Sequence, residues 1–188
     1  MFIKNIKSLK FDLSLLITSI CFAFIVLTLQ TNFAAGKTKA KLEDICWIFQ
    51  HQPNWKRSAY KASNRWKIPV NILMATIYQE SRFRSNVKAK TSSAYGFAQA
   101  VDSIWAQYKK SRHIPHANRR NFNDSIDFIG WYFDKVIKRY KVSPHNTQQL
   151  YLYYQLGLYH RHAPVSSKKI ASKVAHLATQ YRKQLDQC

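Results

Sequence analysis

The chain has 188 residues and a lopsided charge, 30 Lys plus Arg against 9 Asp plus Glu, for a formal net charge of +21. A 46% hydrophobic fraction with 14% aromatics can build a packed core and excludes wholesale disorder. Four Gly and five Pro are too few turn formers for a β-sandwich or barrel, so a single all-α domain is expected. The charge calls for anionic partners: nucleic acid, lipid head groups or an acidic polymer such as a cell wall. Only Glu43 and Glu80 are glutamates, which leaves few candidates for carboxylate chemistry.

Residues 1–36 read as a separate unit. Lys4, Lys7 and Lys10 precede an uncharged run from Leu13 to Leu29, and Thr31 to Gly36 follows with small residues, the order of a secretory signal. The seventeen residues of the run reach about 25 Å as a helix, on the short side for a membrane span. Lys37, Lys39 and Lys41 make the flanking charge nearly symmetric, so two readings stay open: a cleaved signal, with Ala34 and Gly36 before the cut, or an uncleaved membrane anchor. Either way residues 37–188 are expected to be periplasmic or otherwise exported, with membrane contact only through residues 13–29. Without residues 1–36 the domain keeps 27 basic and 8 acidic residues, a net charge of +19.

Export gives the cysteines a meaning. Cys21 lies inside the apolar run without the small neighbours of a lipid-attachment site, which leaves Cys46 and Cys188 at opposite ends of the exported domain. In an oxidising compartment they are expected to form one disulfide tying first helix to last, with two free thiols as the alternative. Closing so long a loop adds about 4 to 5 kcal/mol in the chain-entropy model. Two cysteines alone do not make a structural zinc site, and no metal is expected.

Beyond Lys41 the apolar spacing is helical. Helices are expected over 40–51 and over 55–67, the latter carrying Trp55, Ala59, Ala62 and Trp66 on one side. Pro69 opens a third, in which Val70, Leu73, Met74, Ile77 and Tyr78 form one apolar face with Glu80 beside it. Residues 84–94 read as a loop. Gly96 then precedes a short helix carrying Phe97, Val101, Ile104, Trp105 and Tyr108, and 109–121 is a basic loop. Asn121 or Asn123 caps the next helix, with Ile126, Ile129, Phe133, Ile137 and Tyr140 in period. Pro144 ends a turn, 147–159 is a tyrosine-dense helix, and Ser166 or Ser167 starts the last one, with Ile170, Val174, Leu177, Tyr181 and Leu185 facing inward.

Several of these segments together resemble a known family. Ile68-Pro69, Met74-Ala75, Gln79-Glu80-Ser81-Arg82-Phe83, Ala94-Tyr95-Gly96-Phe97-Ala98-Gln99 and Trp105 are similar to the catalytic core of SLT-type lytic transglycosylases, relatives of goose-type lysozyme. Asp124 to Tyr132 is similar to the helix that usually follows, and Tyr153-Tyr154-Gln155-Leu156-Gly157 takes the place of the family's tyrosine–asparagine–glycine motif. The resemblance covers roughly 68–160 and implies a lysozyme-like α-helical domain. In three respects the chain departs from the pattern. The loop between the first two motifs is one residue longer, Ser93 and Ala98 stand for the usual glycine and methionine, and Gln155 replaces the asparagine. These departures bear on substrate details rather than on the reaction type.

The residues support the same chemistry on their own terms. Glycosidic cleavage needs a proton on the leaving oxygen, and a glutamate beside an apolar helix face has its charged form disfavoured, which suits a general acid. Glu43 is the weaker candidate because its stretch, Lys41 to Asp44, reads as charged and solvated. Asp102, Asp124, Asp127 and Asp134 lie on other helices with no evident reason to face Glu80, so a second carboxylate is not in view. The resemblance implies a substrate-assisted route. Glu80 acts as sole acid and base on the MurNAc-GlcNAc bond, the muramyl acetamide supports the reacting centre, and the sugar's own C6 hydroxyl closes a 1,6-anhydro product without a cofactor. The alternative for Glu80 is a helix-end acid paired to Arg82 or Arg84.

Around it, Gln99 is a candidate for binding substrate or orienting Glu80, and Tyr154 for placing its hydroxyl near the acid. Ser92, Ser93 and Gln155 are candidates for sugar contacts, with loop capping as the alternative for the serines. Gly96 and Gly157 are expected to serve backbone geometry, and Ser81 to brace the loop. Tyr95, Phe97, Trp105, Tyr151, Tyr153 and Tyr159 could line a sugar groove, although helical spacing puts most of them in the core. His160-Arg161-His162 reads as helix-end cations rather than a metal site. Competing functions are a non-catalytic wall-binding or scaffold protein of an envelope-spanning assembly, a hydrolytic lysozyme, and a nucleic-acid binder. The secretory start and the absence of a recognition motif argue against the last. Peptidoglycan glycan strands are the expected partner.

Overall fold

The computed structural model describes residues 41–158 and 162–188, so the expectations for residues 1–36, and for Tyr159, His160 and Arg161, lie outside the described residues. Seven helices are named among them: α1 (Ile45–His51), α2 (Pro53–Trp66), α3 (Val70–Ser81), α4 (Asp102–Arg112), α5 (Phe122–Tyr140), α6 (Thr147–Leu156) and α7 (Val165–Leu185). The described residues hold no strand, only two isolated bridges, Lys88 with Tyr95 and Tyr95 with Ala100. The described residues form an all-α domain. No described helix is long and apolar enough to cross a membrane.

Helix α3 is the centre of the packing. Instead of one apolar face it buries nine of its twelve residues, because α2, α5 and α7 all pack on it. Asn71, Gln79 and Glu80 are the ones left partly open. Helix α2 lies along α5, where Gly130 makes the contact: a Cβ there would sit 2.3 Å from Cδ1 of Trp66. One turn earlier, Asp127 is buried. It accepts hydrogen bonds from Arg65 Nη1 at 2.6 Å, Trp66 Nε1 at 3.0 Å and the Tyr108 hydroxyl at 2.8 Å. The carboxylate thus joins α2, α4 and α5 with its charge paired.

Helix boundaries differ from the periodicity where capping chemistry decides them. A helix over 40–51 is interrupted at Asp44, whose backbone is extended and whose side-chain Oδ1 accepts the Trp47 N–H at 3.0 Å, so α1 begins at Ile45. Pro53 starts α2 two residues before Trp55, as a first-turn proline can. Asn121, not Asn123, caps α5 by accepting the Asp124 N–H at 3.2 Å. Helix α6 stops at Leu156, because Gly157 leaves helical geometry with φ +85° and ψ 166°.

The largest correction concerns Phe97. It is not helical: residues 94–101 form a folded turn that crosses back on itself through the Tyr95 bridges, and α4 begins only at Asp102. Gly96 has φ +80°, and a Cβ on it would lie 2.1 Å from the Arg119 carbonyl oxygen. The close approach lets the Phe97 N–H donate to that carbonyl at 3.1 Å. Phe97 then turns inward against Trp55 and Phe122, with ring centroids 5.6 and 5.4 Å away.

Cys46 and Cys188 form the disulfide, with Cα atoms 6.0 Å apart. Beside it the Ile45 N–H donates to Gln184 Oε1 at 3.0 Å, and the Tyr181 hydroxyl donates to the Leu42 carbonyl at 2.5 Å. Glu43, expected to be solvated, is drawn into this clamp: it accepts the Tyr78 hydroxyl at 2.5 Å, and its carbonyl accepts Gln180 and Gln184. Its carboxylate therefore anchors the start of the domain to the central helix.

Candidate active site

Glu80 stands at the end of α3, where the helix is stopped by two left-handed residues in succession, Arg82 (φ 53°) and Phe83 (φ 57°). Neither is a glycine, so each costs about 1 kcal/mol or more, offset by packing. Phe83 is buried and stacks on Trp55 at 5.6 Å, while the Arg82 guanidinium lies 3.9 Å from the Tyr78 ring centroid. Arg84 donates from Nε to the Ser81 carbonyl at 3.0 Å. Both arginines are thus directed elsewhere, and an ion pair with either is not the role of Glu80. Ser81 is buried, and its hydroxyl donates back to the Ile77 carbonyl at 3.2 Å, which secures the last helical turn rather than the loop beyond.

The abrupt stop leaves the half-buried Glu80 carboxyl on the wall of a groove of about 1070 Å³. Val101, Ile104 and Gln107 line it from the α4 side, Phe128, Tyr132 and Lys135 from α5, Tyr151, Tyr154 and Gln155 from α6, and Ser92, Ala94 and Gln99 from the loop. Glu80 is the one carboxylate among the lining residues. Burial raises its pKa from the ordinary 4.5 to about 7, and a hydrogen bond from the Tyr151 hydroxyl at 2.7 Å opposes the rise. Burial and the neighbouring Glu80 charge push the Tyr151 phenol far up, so it remains a donor. A carboxyl poised near neutrality can give a proton in one step and take one in the next.

Four of the candidate substrate contacts line the groove: Ser92, Gln99, Tyr154 and Gln155. Their bonds refine the expectations. The Tyr154 hydroxyl donates to the Ala98 carbonyl, so the tyrosine that meets the acid is Tyr151, one turn earlier. Burial, then the Glu80 charge, raise the Tyr154 pKa, so this ring too lies within the acid's electrostatic reach. Gln99 (φ 47°) donates from Nε2 to the carbonyls of Val87 and Gly96, each at 2.9 Å, and so holds the turn instead of orienting Glu80. Ser92 Oγ accepts the Ala94 N–H at 3.3 Å. Ser93 Oγ accepts the Asp102 N–H at 3.0 Å and caps α4, the alternative weighed for it.

Of the other candidates, Ser93, Tyr95, Phe97, Trp105 and Tyr153 fall outside the groove. Tyr95 lies under the Arg119 guanidinium, 5.6 Å from its ring centroid, while Phe97 and Trp105 are core residues. Tyr153 stacks on Tyr140 at 4.4 Å. Gly157 lines the groove, and a Cβ there would touch nothing within 4 Å, so its backbone angles alone call for glycine. None of the aspartates lines the groove; Asp102 pairs with Arg119 at 2.7 Å and Asp134 with Lys138 at 2.7 Å. Among the described residues no three His, Cys, Asp or Glu side chains are grouped to hold a metal ion.

Sequence reading missed Phe128, Tyr132, Lys135 and Arg139. Their spacing of four, three and four on α5 was a legible stripe, but its polar lower half does not look like core.

A family model described as the transglycosylase SLT domain matches residues 17–188, well beyond the 68–160 stretch that carries the motifs. No curated protein matches the chain significantly.

Proposed function

The chain belongs to the transglycosylase SLT domain family, whose members are lytic transglycosylases acting on peptidoglycan, and on that premise we propose that Glu80 is the single general acid and base of the reaction. The observation that carries this reading is the isolation of Glu80: one carboxyl in the groove, with a pKa near 7 and a tyrosine donor on it. Retaining and inverting hydrolases commonly place a second carboxylate within about 5 to 10 Å, and the groove lining supplies none.

In the proposed sequence, protonated Glu80 gives its proton to the oxygen linking muramyl C1 to the leaving N-acetylglucosamine. As that C1–O bond breaks, the muramyl acetamide oxygen supports the positive charge at C1. The Glu80 carboxylate, steadied by the Tyr151 hydroxyl, then takes the proton of the muramyl C6 hydroxyl while O6 bonds to C1. The proton returns to Glu80, no water is consumed, and the product is the 1,6-anhydro sugar.

We also assign the domain to an exported setting. The basic-then-apolar order of residues 4–29 supports it, and so does the Cys46–Cys188 bridge, since disulfides persist in oxidising compartments. Digestion of purified sacculi by the full-length protein tests the enzymatic reading. The wild type releases soluble muropeptides, and Glu80→Gln lowers the rate by about 10² to 10⁴-fold. A folded wild type that binds sacculi and releases nothing would assign the protein to the wall-binding scaffold class.

A further inference from the structure

One wall of the groove carries charge that the cleavage step does not use. Along α5, Phe128 and Tyr132 are followed on the same stripe by Lys135 and Arg139, and all four line the groove. Helix-dipole complementation accounts for basic residues in the last turn, here Lys138 and Arg139, but Lys135 lies before that turn. Lys138 has its own counter-ion in Asp134 at 2.7 Å. Lys135 instead rests with its ammonium 4.8 Å from the Trp131 ring centroid, a platform that holds a cation in place without cancelling its charge. The ionisation of Glu80 is set by burial and by Tyr151, so the α5 cations are not there to tune the acid.

We propose that Lys135, with Arg139 one turn further on, receives the carboxylates of the peptide stems that peptidoglycan bears on its muramyl residues, so that the enzyme selects charged, stem-bearing strands. This rests on the lyase reading above. The geometry suits it: the stripe begins at Phe128 and Tyr132, whose buried rings back the groove wall, and the cations continue it along the same helix. Lys135 is half-buried and Arg139 exposed, and a carboxylate on either forms a charge-assisted hydrogen bond.

The test compares native sacculi with sacculi whose stem carboxyl groups have been converted to carboxamides, which keeps every stem and removes its charge. With the full-length protein, kcat/KM is expected to be about tenfold or more higher on native sacculi. In Lys135→Gln/Arg139→Gln the ratio falls toward one, and Lys135→Glu lowers it at least as far. Added salt raises KM on native sacculi and leaves KM on amidated sacculi nearly constant. A wild type that cleaves both substrates equally, or a double variant that keeps the wild-type ratio, overturns the proposal while the lyase reading stands. No product from either substrate overturns the lyase reading and this proposal with it.

Discussion

A glutamate whose folded-state pKa is about 7, against 4.5 in the open, holds its proton more tightly in the fold than in the unfolded chain. The sign follows: its contribution to stability is complete below about pH 4.5 and is lost as pH rises through about 7. The difference is worth about 3 kcal/mol. Glu80→Gln, which cannot ionise, is therefore expected to be more stable than wild type by up to about 3 kcal/mol at pH near 8, with the gain fading toward zero near pH 4. Urea unfolding at the two pH values measures it, and an equal gain at both would contradict the shift. Glu80 was legible because its motif and its apolar neighbours agreed. Tyr151 was legible as a groove-lining candidate but not as the acid's partner, because α6 carries Tyr151, Tyr153 and Tyr154, and only the packing of α6 on α5 and α7 decides which hydroxyl reaches the acid.

At the scale of elements, periodicity found the helices and missed what interrupts them. Phe97 has helical spacing to Val101, Ile104 and Trp105, yet a close backbone approach at Gly96 overrides that local pattern. The single most diagnostic substitution is therefore Gly96→Ala. It sets a Cβ 2.1 Å from a carbonyl oxygen in addition to left-handed strain, and is expected to cost more than the roughly 1 to 3 kcal/mol of strain alone. Thermal unfolding checks this against Gly157→Ala, where the Cβ meets nothing and only strain applies. Equal losses at the two positions would mean that the Arg119 contact yields. The same turn holds Gln99, so Gly96→Ala also disturbs the groove wall.

At the scale of the molecule, the disulfide was legible from two cysteines at the ends of an exported domain, and what it secures was not. The bridge seats Leu42 and Glu43 on α7, and Glu43 in turn holds Tyr78 of α3, two residues before the acid. Reduction is expected to lower stability by about 2 to 5 kcal/mol, read as a shift of the denaturant midpoint with and without reductant. An unchanged midpoint would mean that the hydrogen bonds of the clamp suffice. The charge excess also takes on a place: Lys135, Lys138 and Arg139 line the groove on its α5 wall, and Glu80 is the one carboxylate among the lining residues.

The account stands most directly on the mass of the product. When the full-length protein digests purified sacculi, mass spectrometry is predicted to find muropeptides ending in anhydro-muramic acid, each one water lighter than the hydrolysed form, and about 10² to 10⁴-fold less of them from Glu80→Gln. Products ending in reducing muramic acid would mean that water attacks C1, and undiminished anhydro product from Glu80→Gln would mean that another group carries the proton; either result contradicts Glu80 as the sole acid and base of a lytic transglycosylase.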